Sequence, residues 1–103
     1  MLLFSFLTYT GMAAAMTCHI IGAGSANCRS CPSTDCDILE KFNTGSSQDF
    51  TCVWPDGGPV SGNKRWGYNN AHRCFVSGVR LGKCNINSVT DCVIGYAQGI
   101  APP

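Results

Sequence analysis

The chain has 103 residues, which is room for one domain. Seven Lys and Arg residues nearly balance six Asp and Glu residues, so charge gives no reason to expect nucleic acid or an anionic membrane as a partner. Only 13% of the residues are charged, against about 25% in ordinary soluble domains, whereas eight residues are cysteine.

The first segment, residues 1–15, carries no charged side chain and is almost wholly apolar or small. Its apolar run of about a dozen residues is too short for a bilayer, which takes roughly 20. Ala13 and Ala15 supply the small residues that signal peptidase needs at its cleavage site. The segment predicts a secretory signal peptide over residues 1–15, and the alternative is a hydrophobic first strand. We therefore expect an extracellular protein that is not embedded in a membrane.

The remaining residues show short alternating or β-branched runs that end at Gly, Asn or Pro, with no long helical period. In chain order, the predicted strands are residues 17–21, 27–29, 37–42, 47–54, 59–60, 64–68 and 73–81, the last of them with a bend. Such closely spaced strands predict an all-β fold, a small barrel or sandwich.

One strand and the loop after it have the clearest signals in this pattern. In the strand predicted over residues 47–54, Phe50, Cys52 and Trp54 share one face, because side chains alternate along a strand. The Pro-Asp-Gly-Gly-Pro run at 55–59 predicts a loop, and residues 61–63 predict a hairpin turn.

All eight cysteines follow the predicted signal peptide, and an even number in a short exported chain predicts a disulfide framework. Many pairings are possible, and the sequence alone selects none of them. Because a small core stabilises a fold only modestly, bridges at about 2–4 kcal/mol each are expected to supply much of the stability. The cysteines are Cys18, Cys28, Cys31, Cys36, Cys52, Cys74, Cys84 and Cys92.

The run Asn-Cys-Arg-Ser-Cys-Pro-Ser-Thr at 27–34 resembles the core motif of bacterial-type SH3 domains, SH3b, whose usual form is Asn-x-Arg-Ser-Gly-Pro-Ser-Thr. Residues 60–66 and 74–81 resemble the second half of the family. The resemblance covers about residues 18–84 and is closest to SH3b-like proteins that fungi secrete, with cysteines at positions equivalent to Cys28, Cys52 and Cys74. It implies a small SH3-like β-barrel over residues 16–84, stapled by disulfides, with a C-terminal tail over 85–103 that Cys92 anchors.

Cys31 and Cys36 stand where the family usually has Gly and an aromatic residue. Both flank Pro-Ser-Thr-Asp, whose residues favour turns, so we expect a Cys31–Cys36 bridge across that turn. A thioredoxin-type redox motif would need a helix start in a βαβ unit, and a zinc site would need reduced cysteines with a second pair or His72. Both alternatives are less favoured.

The SH3b resemblance implies a binding module that recognises a cell-wall polysaccharide or peptidoglycan-like polymer. The alternative is a cysteine-rich effector or toxin that binds a host or competitor protein, and a purely structural role would leave no saturable ligand. Because aromatic rings offer an apolar face beside a polar edge, the candidate ligand residues are aromatic, together with one turn residue. They are Trp54, expected half-exposed, Trp66, expected in the core, Tyr68, expected at the surface, and Asn63.

Catalysis is not expected, because an even cysteine count leaves no free thiol to pair with His19 or His72. A Ser-His-Asp site would need a cleft that so small a barrel hardly provides. We expect no cofactor, no metal and a monomer.

Overall fold

The computed structural model describes residues 15–92, so the predicted signal peptide lies outside it except for Ala15, as do residues 93–103. Eight β-strands and two short 3-10 turns, Gly78–Arg80 and Ile86–Ser88, follow one another along this range. The all-β prediction is confirmed. The strands are β1 Met16–Ile20, β2 Ser25–Arg29, β3 Ile38–Asn43, β4 Ser47–Phe50, β5 Cys52–Trp54, β6 Trp66–Asn69, β7 Cys74–Ser77 and β8 Leu81–Gly82.

The strands form two antiparallel sheets. The smaller sheet has the order β4-β1-β8, and the larger has the order β3-β2-β7-β6-β5. The first core cluster joins the two sheets, because apolar side chains on alternate positions of both point towards it. Its buried members are Cys18, Ile20, Ala26, Cys28, Phe42, Phe50, Cys74, Val76 and Leu81.

A second core cluster covers the opposite face of the five-stranded sheet, which we call its second face. Tyr68 pairs with both Cys52 and Phe75, so one side chain from each of β5, β6 and β7 lies together there. Cys92, which follows the last strand, and Trp66 complete the buried part of this cluster, with Trp54 and Val60 packed against it. Strands β6 and β7 are therefore buried on both faces along their whole length.

The prediction of a single strand over residues 47–54 is wrong in one respect: the segment forms two strands, β4 and β5, that are separated at Thr51. Here the chain leaves the three-stranded sheet and enters the five-stranded one. The Thr51 N–H donates to the Tyr68 carbonyl at 3.0 Å, and the Asn69 side chain donates to the Asp49 carbonyl at 3.0 Å, so β6 holds both sides of the break. Val53 alternates with Cys52 and Trp54 along β5 and is also buried.

Four disulfides join the eight cysteines, all of which lie in the described range. The predicted framework and the Cys31–Cys36 bridge are confirmed. Cys28 and Cys31 bond to other partners and so form no redox pair, and a zinc site would lack thiolate ligands because no cysteine is free. Four disulfides are typical of proteins from an oxidising compartment. Between residues 15 and 92, no helix is long and apolar enough to cross a membrane. The pairs are Cys18–Cys84, Cys28–Cys74, Cys31–Cys36 and Cys52–Cys92.

Candidate functional site

A tight turn organises the connection between β5 and β6. Val60 and Asn63 exchange two backbone hydrogen bonds of 2.9 Å. The two residues between them, Ser61 and Gly62, have φ values of +49° and +81°, as a type I′ turn requires. The predicted hairpin turn is therefore present, but the strands on either side are reduced to a single bridge, and β6 begins only at Trp66.

Beside this turn lies an open cleft of about 630 Å³. One wall is the turn and the residues that follow it, and the other is the 3-10 turn Ile86–Ser88. The Asn85 side chain caps that 3-10 turn by accepting from the Asn87 N–H at 3.1 Å, which fixes the second wall. The lining residues are Pro55, Ser61, Gly62, Asn63, Lys64, Arg65, Ile86 and Asn87.

The cleft presents neutral hydrogen-bonding groups and two cations. The Asn63 Oδ1 accepts from the Arg65 N–H at 2.8 Å, which holds the turn in place. Lys64 Nζ lies 3.6 Å from Asp56 Oδ1, but both side chains are exposed, so this ion pair contributes little. Amide, hydroxyl and ammonium groups of this kind bind hydroxyl-rich or weakly acidic ligands by hydrogen bonds.

Of the aromatic candidates, Trp66 is where the sequence predicts it. Its side chain is 1% exposed, and its Nε1–H donates to the Gly58 carbonyl at 2.9 Å. Trp54 is half-buried against the second core cluster and directly precedes Pro55 of the cleft. Of the three aromatic candidates, only Trp54 therefore keeps a partly exposed ring.

The expectation that Tyr68 lies at the surface is wrong, because the residue is 2% exposed. Tyr68 lies on β6, an inner strand of the five-stranded sheet, and belongs to the second core cluster, with the Phe75 ring centroid 4.8 Å from its own. Burial raises the pKa of Tyr68, and the positive charge of Arg73 partly opposes the increase. The ring is thus a core group rather than a platform for a ligand.

Asn63 is the one sequence candidate that lines the cleft. Sequence reasoning missed Ile86 and Asn87, which fall in the predicted C-terminal tail. The signal was present in Asn85-Ile86-Asn87-Ser88, because Asn favours the local side-chain caps that open a turn. Farther along, the Val53 N–H donates to the Thr90 carbonyl at 2.9 Å, so this segment packs against β5.

The two histidines take no part in the cleft. His72 lies in the turn after β6, where its backbone N–H donates to Asn69 Oδ1 at 2.8 Å and its ring packs edge-on against Phe42. Its Nε2 lies 3.9 Å from Glu40 Oε2. His19 lies in β1 and pairs with Ser47. Across the described residues, no three His, Cys, Asp or Glu side chains gather as metal ligands.

No protein-family model, no curated protein and no solved structure matches the chain.

Proposed function

We propose that this chain is a secreted, non-catalytic binding module of SH3-like barrel type that recognises a cell-wall polysaccharide or peptidoglycan-like polymer. The observation that carries the proposal is the open polar cleft beside the Val60–Asn63 turn. The four disulfides support a site of action outside the cell. The SH3b-like motif at 27–34 supports the class of ligand.

The shape and chemistry of the cleft suit a polymer. Small-molecule pockets enclose most of their ligand, whereas this cleft is open and leaves room for a chain to enter and leave. The amides of Asn63 and Asn87 and the hydroxyl of Ser61 are the groups that would bond to sugar hydroxyls. The exposed part of the Trp54 ring, next to Pro55, supplies an apolar face on which a sugar ring can stack.

The experiment is sedimentation of the oxidised protein with insoluble peptidoglycan, chitin and β-glucan. We expect saturable binding to one polymer, weakened several-fold by Asn87→Ala and by Trp54→Ala, because each removes a contact from the cleft or its edge. Asn70→Ala is the matched control, since Asn70 is exposed in the turn after β6 and does not line the cleft. Absence of binding to all three polymers, or equal weakening by Asn70→Ala, would overturn the proposal.

A second candidate is a small effector or toxin that binds a host or competitor protein. It is favoured by Ile38 and Leu39, which are 45% and 53% exposed on β3, the outermost strand of the five-stranded sheet. Exposed apolar side chains on an unpaired sheet edge are a common feature of protein-binding surfaces. Binding to a protein from host or competitor extracts that Leu39→Lys abolishes and Asn87→Ala leaves intact would favour this candidate over the polymer.

A further inference from the structure

A smaller cavity of about 140 Å³, which we call the Arg29 groove, lies on the second face of the five-stranded sheet. Arg29 on β2 pairs with Phe75 on β7, and Ser77, two residues farther, pairs with Trp66 on β6. These side chains therefore share one face, and the groove lies where the cover of the second core cluster stops. The lining of the groove includes Asn27, Arg29, Thr34, Trp66, Val79 and Arg80.

Two arginines, Arg29 and Arg80, and no acidic residue line the groove. The ion pairs found between residues 15 and 92 involve neither Arg29 nor Arg80. A recess of this size with two cations and apolar walls is electrostatically favourable for an anion. In the part of the chain that the structure describes, no acidic side chain therefore pairs with Arg29 or Arg80.

The two arginines have different roles. Arg80 is fixed by the loop after β1 and the first residue of β2. Its Nε donates to the Ile21 carbonyl at 2.6 Å, its Nη2 to the Ala23 carbonyl at 3.0 Å and its Nη1 to the Ser25 carbonyl at 3.1 Å. Arg80 thus supplies a fixed charge with most of its donors in use. Arg29 makes one such bond, from Nη1 to the Cys36 carbonyl at 2.9 Å, so its other N–H groups remain available for a ligand.

The stapled loop at 31–36 holds one wall of the groove in place. The Cys31–Cys36 disulfide closes this loop, and the Gly58 N–H donates to the Pro32 carbonyl at 2.9 Å. The carbonyl that orients Arg29 belongs to Cys36 itself. Because the wall is covalently closed and hydrogen-bonded, a ligand would have little ordering cost to overcome there.

We propose that the Arg29 groove binds a carboxylate that carries a small apolar substituent. A guanidinium matches the planar carboxylate with two parallel hydrogen bonds, which Arg29 is placed to make beside the fixed charge of Arg80. Val60, Val79 and Trp66 in the lining offer apolar contact to a methyl-sized group. A cavity of this volume admits a small organic group. This inference does not rest on the proposed function, because its residues do not line the cleft.

The test is an NMR titration of the oxidised full-length chain, following the Trp66 indole N–H signal. Two probes that each carry a methyl group beside the carboxylate represent the two sources of such a group: N-acetyl-Ala-Ala for a peptide C-terminus and N-acetylmuramate for an acidic sugar. The C-terminal amide of N-acetyl-Ala-Ala and inorganic phosphate are the comparison ligands. We expect a saturable shift with a carboxylate probe, little with the amide, and weaker binding of phosphate, which lacks the apolar substituent.

Variants locate the site. Arg29→Gln should weaken binding by roughly tenfold or more, because it removes a charge-assisted hydrogen-bond donor. Arg73→Gln, which removes the same charge from the exposed turn after β6, should leave binding unchanged. Val79→Phe should also weaken binding, because the larger side chain fills the groove without altering either guanidinium. If Arg29→Gln fails to fold, Val79→Phe is the variant that tests the site.

Several outcomes would overturn the inference. They are the absence of a Trp66 shift with both carboxylate probes, a shift with the amide equal to that with its carboxylate, and binding of phosphate as tight as that of the carboxylates. Weakening of binding by Arg73→Gln equal to that by Arg29→Gln would overturn it as well. Asn87→Ala should leave this titration unchanged, so that failure of the groove and failure of the polymer cleft are distinguishable.

Discussion

Gly57 shows how closely the loop after β5 packs on its neighbours. A Cβ at this position would lie 2.5 Å from Trp66 Cδ1 and 2.6 Å from the Pro32 carbonyl oxygen, both of which are too close. The ring is buried and the oxygen belongs to the backbone of the stapled loop, so neither moves easily. The glycine is therefore required by the approach of this loop to the sheet.

We expect Gly57→Ala to lower the free energy of unfolding by about 1–3 kcal/mol, the usual cost of overpacking. Gly58→Ala is the control, because its Cβ would meet only Ser33, at 3.1 Å or more. Urea unfolding followed by tryptophan fluorescence measures both. Equal losses in the two variants would contradict the steric explanation.

Tyr68 gives the protein a pH dependence at the alkaline end. Burial raises its pKa in the folded protein above the value of about 10 that it takes in an unfolded chain. As pH rises past about 10, the unfolded state loses this proton first, so it binds fewer protons than the folded state and the free energy of unfolding falls. The contribution is complete below that pH and is lost as pH rises through the raised folded pKa.

We expect Tyr68→Phe to flatten this alkaline decline, because phenylalanine has no proton to lose. The measurement is the free energy of unfolding between about pH 8 and pH 11, where tyrosine titrates. An identical slope in the wild-type protein and the variant would show that another group is responsible.

At the scale of elements, the Cys31–Cys36 bridge and the Cys18–Cys84 bridge should differ in their effect on stability. The first joins cysteines only 5 residues apart, and the second joins cysteines 66 apart. A longer closed loop restricts the unfolded chain more, so the chain-entropy relation gives about 2 kcal/mol for the short loop and about 4 kcal/mol for the long one.

We therefore expect the double Cys31→Ser, Cys36→Ser variant to remain folded and to lose about 2 kcal/mol, and the Cys18→Ser, Cys84→Ser variant to lose at least twice as much. Cys18 is also wholly buried in the first core cluster, which adds a packing loss. Chemical unfolding of the two variants gives the order. A larger loss from the short bridge would mean that the stapled loop stabilises the fold through its contacts rather than through chain entropy.

The sequence predicts the elements better than it predicts their arrangement. Alternation and turn residues identify most strands and the turn at 61–63, because both signals are local. The break at Thr51 has no local signal, since it arises where the chain changes from one sheet to the other. The burial of Tyr68 has none either, because it depends on Cys92 and on the loop from Pro55 to Arg65, which are distant in sequence or irregular.

The two walls of the cleft also differ in how far the sequence predicts them. Asn63 was accessible to sequence reasoning because it lies in a recognisable turn. The second wall of the cleft is not predictable in this way, because Ile86 and Asn87 are placed by long-range links: the Cys18–Cys84 bridge before them, and the pairing of Val53 with Asp91 and the Cys52–Cys92 bridge after them. A disulfide pairing, like a sheet order, is a property of the whole chain.

At the scale of the whole molecule, the four disulfides should decide whether the fold persists. At about 2–4 kcal/mol each, their sum approaches or exceeds the net stability of a typical domain, about 5–15 kcal/mol. We expect full reduction to unfold the protein, measured as loss of its far-UV circular dichroism spectrum on treatment with a reductant. An unchanged spectrum after complete reduction would contradict this expectation.

The disulfide connectivity also determines what a protease can do to this protein. The Cys18–Cys84 and Cys52–Cys92 bridges overlap, so every peptide bond between Cys18 and Cys92 lies inside at least one covalent loop. A single cut anywhere in that range leaves two pieces that stay joined, and a nicked chain migrates as one species until it is reduced. A single cleavage within that range therefore changes the chain's continuity without releasing a fragment.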